Sequence, residues 1–425
     1  MNRKKAPAIK DATAFSLKLK PYEHYTLDNG VPVYCIHAGS QEVLQLEWVF
    51  NAGNCYEESK GIAAAANFLL KNGTSTKTAF EINEAFDYYG AWCNRTCYNE
   101  TAVVSLHCLT KHLGTLLPVV QEMLFDSVFP EEELQIYKQN AGQRLMVNLK
   151  KCEFVAGRLI DSYVYGDKHP YGVYTSPLDI EALQLAPVKA FYEKYYKQGT
   201  CALFVSGYLP PDLREQLNKN FGQASISAPS GILPAVQSVP ATEKKYRVQN
   251  DPDAVQGAVR LAIPFPNRHH PDFQKAIVLN NVFGGFFGSR LMSNIREDKG
   301  YTYGIYSYIQ NHIQQSAWLV STEAGKDVCE ATIEEVYKEM ALLREELVPE
   351  DELNLVRNYM IGGILGDLDG PFHIMAKWKN IILNQLDEQY FYQSIETIKQ
   401  VSPEELRELA NRYLQPENFY ELVVY

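Results

Sequence analysis

Residues 44–97 read LQLEWVFNAGNCYEESKGIAAAANFLLKNGTSTKTAFEINEAFDYYGAWCNRTC, and the order of breaks in this stretch sets the fold. Leu44–Phe50 has the character of a strand, and Asn51-Ala-Gly53 breaks it. A small-residue helix is expected over Gly61–Leu70, closed by Asn72-Gly73, because glycine commonly follows a helix C-terminus. A second helix is expected over Ala79–Tyr88, with Ile82, Ala85 and Phe86 on one face. Gly90 stops it, and Ala91–Cys97 is a further strand.

Upstream, Tyr25–Ile36 holds a hairpin signal, with Asn29-Gly30 between two strand-like runs. Downstream come a strand at Thr101–Cys108, helices at His112–Phe125 and Glu131–Leu149, and a turn at Pro170-Tyr-Gly172. A helix at Val188–Tyr196, a strand at Cys201–Gly207 and a helix at Pro211–Phe221 follow. Residues 226–243, with three prolines and few charges, form a linker. The first order then returns: a strand at Ala258–Ile263, a helix at Phe273–Phe283, a break at Gly284-Gly285, a short helix at Arg290–Arg296, then Gly300 and a strand at Tyr301–Ile309. Gly90-Ala-Trp-Cys93 falls in register with Gly300-Tyr-Thr-Tyr303. The chain is therefore expected to be an ancient duplication of α+β class. Its two tandem homologous domains, residues 1–225 and 244–425, each pack an antiparallel-rich sheet with helices.

Composition agrees with two domains of roughly 200 residues each. With 46% hydrophobic and 21% charged residues, there is enough apolar material for two cores. A net charge of −11 without Lys/Arg clusters argues against nucleic-acid binding. The basic start MNRKKAPAIK runs into Asp11-Ala-Thr-Ala-Phe-Ser rather than into an apolar stretch, so no signal peptide is expected there. No apolar run is long enough to span a bilayer, and a cytoplasmic location is expected. The eight cysteines are scattered, as buried reduced thiols would be.

Several local patterns together resemble the pitrilysin/insulinase family of zinc peptidases, in its half-size, mitochondrial-processing-peptidase-like branch. They are Leu27-Asp-Asn-Gly30, Ala52-Gly53 leading to Glu57, Gly61 leading to Asn72-Gly73-Thr74, His169-Pro-Tyr-Gly172, and Tyr195-Tyr196 before the strand ending at Gly207. In the second half, Ser289-Arg290-Leu291, Ile295-Arg296-Glu297, Gly300 and Tyr303 complete the set. The family carries His-X-X-Glu-His on its first helix. Two histidines one turn apart hold zinc, the glutamate activates the bound water, and a carboxylate from a later helix completes the ligands. On that frame Ala64 and Phe68 stand at the histidine positions and Asn67 at the glutamate position. Phe129-Pro-Glu-Glu-Glu-Leu134 opens the later helix, and the register puts Arg144 at the third ligand position. Alanine and phenylalanine cannot ligate, asparagine cannot take a proton, and a guanidinium opposes a metal. No pair among the nine histidines offers i, i+4 geometry with an acidic partner. The chain itself is thus expected to hold no metal.

The resemblance also implies an Arg and a Tyr seven residues apart that stabilise the oxyanion at the scissile carbonyl, and Arg296 and Tyr303 match. Without it, Arg296 would cap helix carbonyls or pair with Asp298, and Tyr303 would be a half-buried strand residue. The strand carrying Trp92 and Asn94 matches the edge on which the family pairs substrate backbone. Arg95 departs from the small residue usual there. Tyr301, Tyr303, Tyr306 and Tyr308 are expected to line a core or cavity, and Gly284-Gly285-Phe-Phe-Gly288 to form a tight turn that frees Ser289-Arg290. The implied role is the metal-free subunit of a heterodimeric zinc peptidase. A homologous subunit would bring the zinc, and this chain would bring Arg296 and Tyr303 to a peptide substrate. A non-catalytic peptide-binding or assembly scaffold of the same fold is the alternative, and isolated chains are compatible with a homodimer.

Overall fold

The computed structural model describes residues 11–229 and 236–425. The basic segment Met1–Lys10 and residues 230–235 of the linker lie outside the described residues. Two compact units result. The N-terminal unit comprises Lys20–Ala241 and a returning segment, Gly370–Asn380. The C-terminal unit comprises the described residues up to Leu19, Thr242–Asp369 and Ile381–Tyr425.

In the N-terminal unit six strands, β1 (Glu23–Thr26), β2 (Pro32–His37), β3 (Val43–Phe50), β4 (Trp92–Cys97), β5 (Ala102–Leu109) and β6 (Cys201–Gly207), form one sheet in the order β1-β2-β6-β3-β5-β4. All pairs are antiparallel except β2 with β6. Burial alternates along β3 and β5, so one face of the sheet meets the helices. Leu44, Leu46 and Trp48 lie on that face with Val104 and Leu106, in one core with Leu69, Phe86, Leu117 and Phe221. The opposite face receives the returning segment. Lys379 pairs with Glu47 at 2.7 Å, Trp378 Nε1 donates to the Lys20 carbonyl at 2.8 Å, and Phe372 meets the His107 ring edge-on. This explains why β6 is buried along its whole length.

The helices of this unit that matter below are α1 (Ile62–Leu69), α2 (Ala79–Tyr88), α3 (Leu113–Phe125), α4 (Glu131–Asn148) and α5 (Cys152–Tyr165). Helix α1 begins at Gly61, whose φ of 88° is open to glycine at low cost. It has no cap from its own N-cap side chain. Glu57 stands in, accepting from the Gly61 and Ala63 amides at 3.2 and 2.9 Å. The described parts of the linker hold to this unit. Ser227 bridges to Thr200, and the Val239 and Ala241 amides donate to the Tyr165 and Tyr163 carbonyls.

In the C-terminal unit, β7 (Lys245–Val248), β8 (Gln256–Phe265), β9 (Thr302–Asn311), β10 (Ser316–Gly325) and β11 (Tyr420–Val424) order as β7-β11-β8-β10-β9. Only β7 with β11 is parallel. Strand for strand this repeats β2-β6-β3-β5-β4 of the first sheet, including the single parallel pair. Gly90 and Gly300, with φ of 61° and 67°, make the same turn into the outer strands β4 and β9. Helix α4 and the helix Glu350–Asp367 correspond as well: each has 18 residues and starts after proline, in Phe129-Pro-Glu-Glu-Glu-Leu134 and Val348-Pro-Glu-Asp-Glu-Leu353. The chain is thus α+β, with two homologous domains that each pack an antiparallel-rich sheet with helices.

Candidate functional site

Residues of interest gather at one place in each unit. In the N-terminal unit, Ala64, Asn67, Phe68 and Arg144 all line one cavity of about 570 Å³, together with Arg95 and Tyr137. Helix periodicity explains the first three. Ala63, Ala65, Ala66 and Leu69 face the core, which turns Ala64 and Phe68, one turn apart, toward the opening. Asn67 is buried, and its side-chain amide donates to the Tyr196 hydroxyl at 3.1 Å.

Arg95 fills the floor of this cavity. It shares a face of β4 with Cys93 and Cys97, while Trp92, Asn94 and Thr96 are exposed on the other. Its Nη1 donates to the Phe68 carbonyl and to Asn72 Oδ1, and its guanidinium lies 5.1 Å from the Phe68 ring centroid. Phe68 in turn packs on Tyr137 at 5.0 Å. Burial holds Arg95 below the usual guanidinium range and pushes Cys97 and Tyr137 up to about 12. Glu57 is also raised, because its burial outweighs the two amide bonds it accepts. The sequence marks Arg95 as a departure from the small residue usual there but does not place it in this cavity.

Strand β4 is a sheet edge, bonded on one side only to β5. Trp92 is 70% exposed beside this free edge, and Asn94 is exposed on the same face.

In the C-terminal unit, Arg296 and Tyr303 come together. The Arg296 guanidinium lies 5.2 Å from the Tyr303 ring and 4.6 Å from the Phe287 ring, with Glu297 at 3.5 Å. Its ion-pair partner is thus Glu297, not Asp298. The expected helix at Arg290–Arg296 is present and runs on to Asp298, with Arg296 in its wide, π-type part, Met292–Asp298. Phe287 comes from the glycine-rich loop, where the sequence pattern marks a turn and gives no signal for this contact.

Two further expectations are corrected here. Tyr303, Tyr306 and Tyr308 are not core residues: they are 90%, 50% and 42% exposed. For Tyr303 the cause is a β-bulge. Three steps on β9, from Thr302 to Ile305, oppose two on β10, from Thr322 to Ala324. The extra residue breaks the alternation, so Tyr303 points out although Ile305 is buried. The Thr302 hydroxyl holds the bulge by donating to the Glu323 carbonyl at 2.6 Å and accepting from the Gly304 amide at 3.1 Å. Finally, Ser289 and Arg290 are not freed: Ser289 is buried, and Arg290 forms a two-pronged pair with Glu352 at 2.8 and 2.9 Å.

Comparison with known proteins assigns the family. Residues 33–169 match the model of insulinase (peptidase family M16), and residues 182–360 match that of the peptidase M16 inactive domain. The chain belongs to the M16 peptidase family. A Bacillus subtilis protein named as an uncharacterized zinc protease is 24% identical over 362 residues, covering 84% of this chain and 86% of its own. Two solved structures share the fold. The peptidase M16 inactive domain from Pseudomonas fluorescens has a TM-score of 0.83 at 22% identity, covering 95% of this chain and 98% of its own. A protease from Helicobacter pylori has a TM-score of 0.86 at 17% identity, covering 96% and 100%.

The zinc that M16 peptidases use does not fit the residues of this cavity. Among the described residues its lining holds guanidiniums, aromatic rings and amides, with no His, Asp or Glu, and the Cys97 thiol is pushed toward the neutral form by burial. Among the described residues, no group of three or more His, Cys, Asp or Glu is placed to hold a metal ion. No helix among them is long and apolar enough to cross a membrane.

Proposed function

We propose that this chain is the metal-free subunit of a heterodimeric M16 peptidase. In this reading a homologous partner with an intact His-X-X-Glu-His helix holds the zinc. This chain supplies Arg296 and Tyr303 to the carbonyl of a bound peptide. One observation carries the reading: the altered cavity of one unit coexists with a presented Arg296–Tyr303 pair in the other. A tyrosine 90% exposed on a bulged strand contributes nothing to a core, and its placement suits a group that acts on something outside the chain. The guanidinium and phenol are both hydrogen-bond donors. Aimed at a carbonyl oxygen, they would favour the charge that develops there during peptide hydrolysis.

The test is reconstitution with a zinc-binding homologue and a quenched fluorescent peptide. Arg296→Ala and Tyr303→Phe should each lower kcat of the mixture by about 10²–10³ and change KM little, as loss of an oxyanion donor does. Activity equal to wild type in both variants would defeat the proposal. The exposed edge of β4, beside Trp92 and Asn94, favours a second reading, a peptide-binding scaffold without catalysis. That reading predicts peptide binding with no turnover in any pairing.

A further inference from the structure

We propose that the arginine-lined cavity of the N-terminal unit binds the carboxylate of a peptide that carries an aromatic or apolar side chain beside it. The inference concerns the isolated chain and needs no zinc-binding partner.

Three guanidiniums, Arg95, Arg144 and Arg158, line this cavity, and among the described residues no Asp or Glu does. In a chain of net charge −11 this is a local cluster of positive charge, and Asp179, the carboxylate that acts on Arg158, is outside the cavity lining. The neighbouring carboxylates each have a hydrogen-bond partner. Asp161 accepts from the Tyr174 hydroxyl, Asp179 accepts from the Ser176 amide, and Glu57 accepts from the start of α1. None of the three arginines forms an ion pair among the described residues, and only some of their donors are used. Arg95 bonds through Nη1, and Arg158 donates from Nη2 to the Thr175 carbonyl at 2.6 Å. Arg144 is exposed and has no hydrogen bond among the described residues. A guanidinium has five donors in a planar fork that matches a carboxylate. Burial pulls Arg95 and Arg158 below their usual range, so an incoming anion would restore what desolvation took away.

The walls set the rest of the ligand. The Arg158 guanidinium lies 5.4 Å from the Phe154 ring and 5.0 Å from the Tyr174 ring, as Arg95 does from Phe68. Such stacking fixes the planes of the forks and surrounds them with apolar surface. The volume, about 570 Å³, is in the range of small-ligand sites and accommodates a residue or two of peptide. Access is also built. Arg95, Thr96 and Cys97 of the cavity belong to β4, an edge strand whose outer side pairs with no strand among the described residues. A peptide extended along that edge gains main-chain hydrogen bonds and delivers its carboxylate to the arginines.

The test is fluorescence anisotropy on the full chain. The probe is a fluorescein-labelled alanine-rich octapeptide ending in phenylalanine, as the free acid, as the amide, and as the amide with glutamate next to last. The free acid should bind at least about tenfold tighter than the plain amide, since hydrogen bonds to charged groups carry that much. Arg144→Gln, at a position with no internal bond to lose, should remove most of that difference and leave amide binding unchanged. Arg158→Gln should act likewise, and a thermal melt reports whether each variant is folded. Strong binding of the glutamate-bearing amide would assign the carboxylate to a side chain, and weak binding would assign it to the C-terminus. Equal affinity for acid and plain amide, no binding of either, or an acid preference that survives Arg144→Gln would overturn the proposal. So would titration of inorganic phosphate with the affinity of the peptide acid, which would make this a small-anion site. None of these outcomes bears on the Arg296 and Tyr303 variants, which are read by hydrolysis in the reconstituted pair.

Discussion

Asn67 is tied into the packing of its unit. Its amide is buried and donates to the Tyr196 hydroxyl, itself inside the core. Replacement by alanine should cost about 1–3 kcal/mol by leaving that hydroxyl without its donor, visible as a lower unfolding temperature. A melt unchanged from wild type would refute the structural role. Ala64 and Phe68 are different: both face the cavity, so histidine fits at either without entering the core. Zinc should still bind poorly to Ala64→His with Phe68→His, because Arg144 lines the same space. Adding Arg144→Glu should raise zinc affinity at least about tenfold, measured by competition with a chromogenic chelator. If it does not, Arg144 is not at the third ligand position. Helical spacing and the family resemblance name these four residues by number, and all four line one cavity. Arg95 stands out in the sequence, but its place in the cavity does not, since it depends on which face of β4 meets α1, a matter of sheet register rather than local pattern.

At the level of single elements, the bulge in β9 decides where Tyr303 points. Thr302→Val keeps the shape and β-propensity of the side chain but removes the hydroxyl that holds the Gly304 amide and the Glu323 carbonyl. We expect kcat in the reconstituted pair to fall toward that of Tyr303→Phe while the melt shifts little. A wild-type kcat would show that the bulge holds without Thr302. Alternation alone predicts Tyr303 with the buried set, so its exposure could not be read from sequence: a bulge is a mismatch between two strands. Strand β11 escaped for a related reason. It enters its sheet between β7 and β8, whose residues lie some 160–180 positions earlier, and no local signal records such a pairing. Its Glu421 is buried, accepts from Tyr337 at 2.7 Å, and pairs with Arg247 and with Lys245 at 3.3 Å. Burial raises this carboxyl, but the Tyr337 hydroxyl and Arg247 outweigh it, and its pKa lies below the ordinary 4.5. A depressed folded-state pKa means that its stabilisation is complete above 4.5 and is lost as pH falls through the depressed value. Glu421→Gln should therefore lower the melting temperature at neutral pH, with a deficit that shrinks in acid below 4.5. A deficit independent of pH would show that the charge contributes nothing.

Across the whole molecule, duplication is what makes a divided function intelligible. The two sheets repeat the same strand order with the same single parallel pair, so β4 and β9 are equivalent edges reached through equivalent glycines. The sequence disclosed this repeat through its breaks, and the helix openings at Phe129-Pro and Val348-Pro carry it further. What the repeat does not preserve is chemistry. One copy has arginines and aromatic rings where the family resemblance expects metal ligands, and the other presents Arg296 and Tyr303. A chain that needed neither would have no reason to keep the second while changing the first. A chain that worked alone would need both. The proposed division of labour therefore makes a prediction about stoichiometry. The purified chain with added zinc should show no peptide hydrolysis above background. Titrated into a fixed amount of zinc-binding homologue, it should raise activity linearly to a plateau at one equivalent, and Arg296→Ala protein should reach the same break point in a binding assay at far lower activity. Hydrolysis by the chain alone would end the metal-free reading. Full activity of the homologue before any addition would end the shared-site reading.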